Sequence, residues 1–153
     1  SPINDTNARA VFLGMTMDTT RADMTQAMLE GVAFALRDSV EIARSLGLDI
    51  SRSTLCGGGS RSPLWRTILA NVLGIPLDLP ATEQGPGYGA ALLALVACGR
   101  YRNVAEVSRA MLHIQATVQP DPELTALYDA RYAEFKQIYP ACRPLFASLA
   151  GTP

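Results

Sequence analysis

Apolar positions change their spacing several times along the chain, and each change predicts a different kind of element. Residues 10–15, Ala10-Val11-Phe12-Leu13-Gly14-Met15, form a short apolar run after a polar entry, which suits a strand or an extended segment. Met24, Met28, Val32, Leu36, Val40 and Ala43 then recur close to every four residues, the spacing of one helix face. Thr20 and Asp23 stand at capping-box spacing before that run, and Gly47 sits where a left-handed cap would close it. The pattern predicts one long helix over roughly residues 21–46.

The middle of the chain alternates short β-prone runs with glycines and helical stretches. Ser53-Thr54-Leu55-Cys56 is followed by Gly57-Gly58-Gly59, and Ser62-Pro63 supplies an N-cap with proline at the first helical position. Leu64, Trp65, Ile68, Leu69, Val72 and Leu73 make the apolar face of that helix, which Gly74 closes. Residues 75–80 read as a second short strand. Gly85-Pro86-Gly87-Tyr88-Gly89 reads as a second glycine loop, opening onto residues 90–98, apolar nearly all round and so expected to be a helix buried between layers. This order predicts an α/β fold with a parallel-strand βαβα core. After Tyr101 the chain reads as a helical C-terminal tail. Asn103 with Glu106 caps a short helix, and Asp121-Pro122 opens one carrying Leu124, Leu127, Tyr128, Tyr132, Phe135, Ile138 and Tyr139.

Composition narrows the function classes. The 153 residues are 48% hydrophobic and carry a net charge of -1, enough apolar surface for a core and too little clustered basic charge for nucleic acid or an anionic membrane. No apolar run approaches the ~18 residues of a membrane span, and the polar start Ser1-Pro2-Ile3-Asn4-Asp5 is unlike a signal peptide, so the cytoplasm is the expected location. The chain does not begin with Met, which suggests a processed protein or a piece of a longer one. Cys56, Cys98 and Cys142 are an odd set without CxxC spacing in apolar surroundings, expected to be buried free thiols.

Glycines between a strand and a helix let the backbone approach a ligand, while the helix start offers free N–H groups and the positive end of its dipole. That arrangement suits a phosphate or nucleotide. Gly59-Ser60-Arg61-Ser62 lacks the lysine of a Walker A loop, and Gly85-Pro86-Gly87-Tyr88-Gly89-Ala90 departs from GxGxxG, which disfavours a dinucleotide fold. The competing reading makes both clusters turns or helix-packing contacts. His113 is the only histidine and reads as structural or surface rather than as a base. Glu30 reads as a carboxylate bonding to a neighbouring loop, and Trp65 as core rather than an adenine platform. Asp18, Asp78 and Glu83 are too scattered to argue a metal site.

The string Gly57-Gly58-Gly59-Ser60-Arg61-Ser62-Pro63-Leu64-Trp65-Arg66, continued by Leu69-Ala70-Asn71-Val72-Leu73-Gly74-Ile75-Pro76 and by Gly85-Pro86-Gly87-Tyr88-Gly89-Ala90-Ala91-Leu92-Leu93-Ala94, resembles the C-terminal signature of the FGGY carbohydrate kinases. Residues 7–16 and 27–38 resemble the same family in the same order. Within it the chain looks most like the xylulose kinases. The resemblance implies an actin-like ATPase, ribonuclease-H-like fold, here a partial C-terminal nucleotide-binding domain over residues 1–153 of a two-domain kinase using ATP and Mg2+. It implies nucleotide contacts at Gly57, Gly58, Gly59 and Ser62, the last at a position where many relatives have an Asn facing adenine; Ser62 serves either the base or the helix cap. The catalytic carboxylate and sugar pocket are expected outside this chain, in a missing N-terminal domain, so the piece alone would be inactive and no catalytic residue is assigned within it. D-xylulose is the expected substrate, with glycerol, ribulose or gluconate as alternatives. A non-catalytic nucleotide-binding module and a helical interaction domain are the rival classes; the aromatic tail reads as packing, with a partner or the missing part as its expected cover, and a homodimer is a further expectation.

Overall fold

Thr20 starts the first helix as its spacing predicts. In the computed structural model, which describes residues 3–81 and 85–150, the Thr20 hydroxyl accepts the Asp23 N–H while the Asp23 carboxylate accepts the Thr20 N–H at 2.8 Å. Helix α1 runs over Arg21–Ser45. It ends at Gly47, whose φ of +85° is the left-handed conformation that glycine adopts without a Cβ penalty. The Gly47 N–H reaches the Arg44 carbonyl and the Leu48 N–H the Ala43 carbonyl, closing the last turn as a Schellman motif.

The remaining elements are β1 (Ser53–Thr54), a 3-10 turn (Gly58–Arg61), α2 (Pro63–Leu73), β2 (Leu77–Pro80), α3 (Gly85–Ala97), α4 (Val104–Met111), β3 (Ile114–Val118) and α5 (Pro122–Ala150). The described residues form two compact units. The first gathers residues 3–50, 71–74 and 121–150, and the second residues 51–70, 75–81 and 85–120.

The first unit is organised by α1 and α5. Phe34, 5% exposed, has the rings of Tyr128, Tyr132 and Phe135 at 6.0, 5.9 and 5.2 Å. The aromatic residues of the tail are therefore spent on α1, which corrects the expectation that they await a partner. Asp121 caps α5 through the N–H groups of Glu123 and Leu124. The Asp121 N–H in turn donates to the buried Asn71 side chain at 2.7 Å. Pro140 and Pro144 lie inside α5 without ending it.

In the second unit the three strands are ordered β1-β2-β3. Ser53 and Thr54 pair with Leu77 and Asp78 in parallel, as the glycine-separated strand pattern predicts. β3 is unexpected: it pairs antiparallel with β2, Leu77 opposite Val118, with an irregularity at Leu79 and Pro80. Leu77, Leu79, Ile68 and Leu69 are buried with Val107 of α4 and Leu92 of α3.

Three local expectations are corrected. Residues 10–13 are irregular rather than a strand, and Gly14 has a φ of +77°. The second glycine cluster is not a loop before a helix but the opening turns of α3 itself. Helix α3 is not buried between layers: Leu92 alone among its described residues is buried, and Leu93 is 57% exposed. An all-round apolar helix needs covering surfaces on several sides, and among the described residues α3 packs chiefly on α4. No helix among the described residues is long and apolar enough to cross a membrane.

Candidate functional site

The carboxyl ends of two adjacent parallel strands are where open α/β sheets place ligands, and the glycine run lies there, directly after β1. Gly57 turns the chain with a φ of +86°, a conformation that a side chain would strain. Gly58, Gly59, Ser60 and Arg61 then form the 3-10 turn, and Ser62 is its last cap. All four residues expected at the site, Gly57, Gly58, Gly59 and Ser62, are thus gathered on one turn.

The glycines are not equivalent. A Cβ on Gly59 would sit 3.2 Å from the Trp65 indole, so internal packing accounts for that glycine. Gly57 is accounted for by its φ. Among the described residues a Cβ on Gly58 would meet nothing within 4 Å, and its φ is not in the left-handed region, so no described contact requires glycine there. Among the described residues the Gly58 and Gly59 N–H groups have no hydrogen-bond acceptor. The turn therefore offers two free donors beside open space at Gly58, suited to an anionic or hydrogen-bond-accepting ligand.

Ser62 serves as the cap of α2: its hydroxyl accepts the Trp65 N–H at 3.3 Å. Trp65 is half-buried against Gly59 rather than in the core. Ser60, 3% exposed, donates its hydroxyl to the Gly57 carbonyl at 2.7 Å and its N–H to the same oxygen at 3.0 Å. The Arg66 guanidinium donates from Nε to the Ser60 carbonyl. Ser60, Arg66 and Gln115 line a hollow of about 320 Å³ with Leu55, Leu79 and Pro80. Ser60 and Arg66 escape a reading of the sequence that looks only at the glycines. The pointer to Arg66 is its place in the first turn of α2, where side chains lean back toward the helix start.

Carboxylates elsewhere are engaged structurally. Asp78, buried on the central strand, accepts both oxygens' bonds from Arg52 Nη1 at 3.0 and 2.9 Å and the Thr117 hydroxyl at 2.6 Å. The Thr117 hydroxyl first, then Arg52, hold its carboxyl below the ordinary value against the opposing effect of burial. Glu30 bonds not to a loop but to α5, accepting from the Tyr128 hydroxyl at 3.0 Å and from Arg131 at 3.1 Å, with Gln26 at 2.8 Å. Among the described residues no three of His, Cys, Asp and Glu are grouped to hold a metal ion; Glu83 lies outside the described residues. His113 is exposed, and its carbonyl accepts the Ala81 N–H at 2.8 Å. The cysteines are free, but Cys56 and Cys98 are exposed and Cys142 half-buried, against the expectation of buried thiols. Cys98 follows the uncovered α3, so its apolar neighbours do not enclose it.

A larger hollow of about 860 Å³ lies in the first unit, beside α1 and α5. Its carboxylates already have partners, Asp129 with Arg37 at 2.6 Å and Asp38 with the Tyr132 hydroxyl at 2.6 Å. Size alone does not make it the better candidate, because those groups are turned to each other rather than to a ligand.

The sequence pattern of the FGGY family of carbohydrate kinases, C-terminal domain, matches residues 1–98. The xylulose kinase of Staphylococcus epidermidis is 30% identical over 149 residues, 97% of this chain and 30% of that protein. The xylulose kinase of Escherichia coli is 34% identical over 148 residues, 96% of this chain and 30% of its own length. The crystal structure of xylulose kinase from Rhodospirillum rubrum superposes with a TM-score of 0.79 at 32% identity, covering 92% of this chain and 28% of that one. The chain thus spans about 30% of the length of the curated relatives it matches.

Proposed function

The chain belongs to the FGGY family of carbohydrate kinases, and from that premise we propose that it supplies the nucleotide-binding part of a kinase that phosphorylates the terminal hydroxyl of D-xylulose with ATP. Its fold is the actin-like, ribonuclease-H-like one of the family. The observation that carries the nucleotide assignment is Gly58: a position where, among the described residues, nothing requires glycine, with two N–H donors unused at the turn.

The residues fit a nucleotide in distinct ways. Gly57 sets the direction of the turn, Gly58 leaves room for the ligand and offers its N–H, and Gly59 admits the Trp65 indole behind it. Ser62 keeps its hydroxyl proton free for a base or ribose acceptor while its oxygen caps α2. Bound ATP supplies the phosphoryl group, and Mg2+ neutralises charge on its phosphates. The described side chains offer no ligand set for that ion. The catalytic carboxylate and the sugar pocket are assigned to the part of the enzyme that this chain does not span.

Calorimetric titration of Mg-ADP into the 153-residue chain tests this reading, with AMP and NAD as comparison ligands. Selective binding of ADP that Gly58→Val abolishes, with the melting transition intact, is the expected result. A folded chain that binds no ADP, or a Gly58→Val chain that binds it as well as before, would remove the nucleotide from this turn. Xylulose against ribulose, glycerol and gluconate, assayed as substrates of the enzyme containing this segment, decides the sugar.

A further inference from the structure

Holding two free N–H groups at fixed positions requires the turn that carries them to be fixed, and four residues of 3-10 helix rich in glycine do not fix themselves. Ser60 is the one residue of the turn that is buried, and it is tied to Gly57 by both its hydroxyl and its N–H. Its carbonyl receives no backbone N–H among the described residues; Arg66 Nε fills that place from the first turn of α2. A buried carbonyl without that donor would be left unsatisfied, and the cheapest relief is for the turn to open to water. Among the described residues the two Nη groups of Arg66 have no further partner, and the side chain borders the hollow shared with Gln115.

We propose that Arg66 is a positioning residue for nucleotide binding: through Ser60 it holds the 3-10 turn closed, so that the Gly58 and Gly59 N–H groups are aligned before the ligand arrives. The inference rests on the nucleotide reading of the glycine turn. Pre-alignment lowers the ordering cost of binding, so its loss appears as weaker affinity without loss of fold.

Two measurements on the 153-residue chain separate the possibilities: amide hydrogen exchange resolved at residues 58–62, and Mg-ADP affinity by calorimetry, each for the wild type, Arg66→Met and Arg66→Lys, with melting followed by circular dichroism as the control for folding. Arg66→Met is expected to speed exchange in the turn about tenfold and to weaken Mg-ADP binding about tenfold, while exchange in α5 and the melting transition are unchanged. Arg66→Lys, which keeps a charged donor, is expected to restore the greater part of both. Unchanged exchange in Arg66→Met overturns the proposal, and so does faster exchange with undiminished affinity. If the wild type binds no Mg-ADP, the nucleotide reading fails and the role of Arg66 fails with it. That outcome is distinct from equal binding by all three chains, which leaves the nucleotide at the turn and removes Arg66 alone.

Discussion

The Tyr128 hydroxyl donates to Glu30 Oε1 at 3.0 Å, joining α5 to α1 across 98 positions of sequence. Glu30 is 9% exposed and is also bonded by Arg131 and Gln26, so its charge is met on several sides. Tyr128→Phe removes one neutral donor and should cost about 1 kcal/mol in denaturant unfolding. Glu30→Ala strips the acceptor from three donors and should cost about 3 kcal/mol. Equal losses for the two variants would mean that the carboxylate is not the hub of this contact.

Alkaline pH should strain the same contact. Burial first, and then the Glu30 carboxylate, push the Tyr128 hydroxyl from 10.0 up to about 12. A group whose folded value is raised favours the fold fully below its unfolded value, so this contribution is complete below pH 10 and is lost between pH 10 and 12. Tyr132 is raised in the same direction, by burial and by Asp38. Ultraviolet titration should therefore show a late-ionising tyrosine class that is reduced in Tyr128→Phe.

Acid acts on the second unit through Asp78. Its carboxyl lies below the ordinary 3.8, so its contribution to the fold is complete above that value and is lost as pH falls below it. Asp78→Asn should flatten the acid limb of a stability-against-pH curve measured by circular dichroism. An acid limb identical to the wild type would place the sensitivity elsewhere.

The three consecutive glycines should separate by experiment. Gly57→Ala forces a side chain into φ +86° with ψ 176°, a conformation that essentially only glycine adopts, and should cost about 1–3 kcal/mol. Gly58→Ala meets open space and should change stability by less than about 0.5 kcal/mol. Gly59→Ala presses on the Trp65 indole at 3.2 Å, which should shift the tryptophan emission. If Gly58→Ala proves the most destabilising of the three, the turn is not built as described.

Much of this arrangement is legible in the sequence because local rules are obeyed locally. Thr20 with Asp23, Gly47, Asn103 with Glu106, and Asp121-Pro122 mark helix ends through bonds that span a few residues, and each end falls where its signal stands. β3 escaped because Ile114-Gln115-Ala116-Thr117-Val118 is a brief alternation between two helices, and its pairing with β2 is a long-range event. The exposure of α3 and of Cys98 escaped for a different reason: apolar composition says that a surface favours cover and not what provides it. At the site the glycines announce themselves, whereas Arg66 matters through a single carbonyl six residues earlier.

Asn71→Ala tests the seam at the start of α5. The Asn71 side chain is buried and accepts the Asp121 N–H at 2.7 Å, so truncation should cost about 1–3 kcal/mol. Asn71→Leu, which fills the site but offers no acceptor, should cost a similar amount; a loss below about 0.5 kcal/mol in either variant would show that the bond is not what holds the position.

The 98-residue span between Glu30 and Tyr128 also sets a clock. On a ribosome adding about 5–20 residues per second, α1 waits roughly 5–20 s after its own synthesis before the residues that cover Phe34 exist. During that interval Phe34 lacks the rings that cover it in the fold, while the residues of the second unit, all placed before Asp121, are already made. Birth order thus leaves α1 dependent on a helix made only after the whole of the second unit.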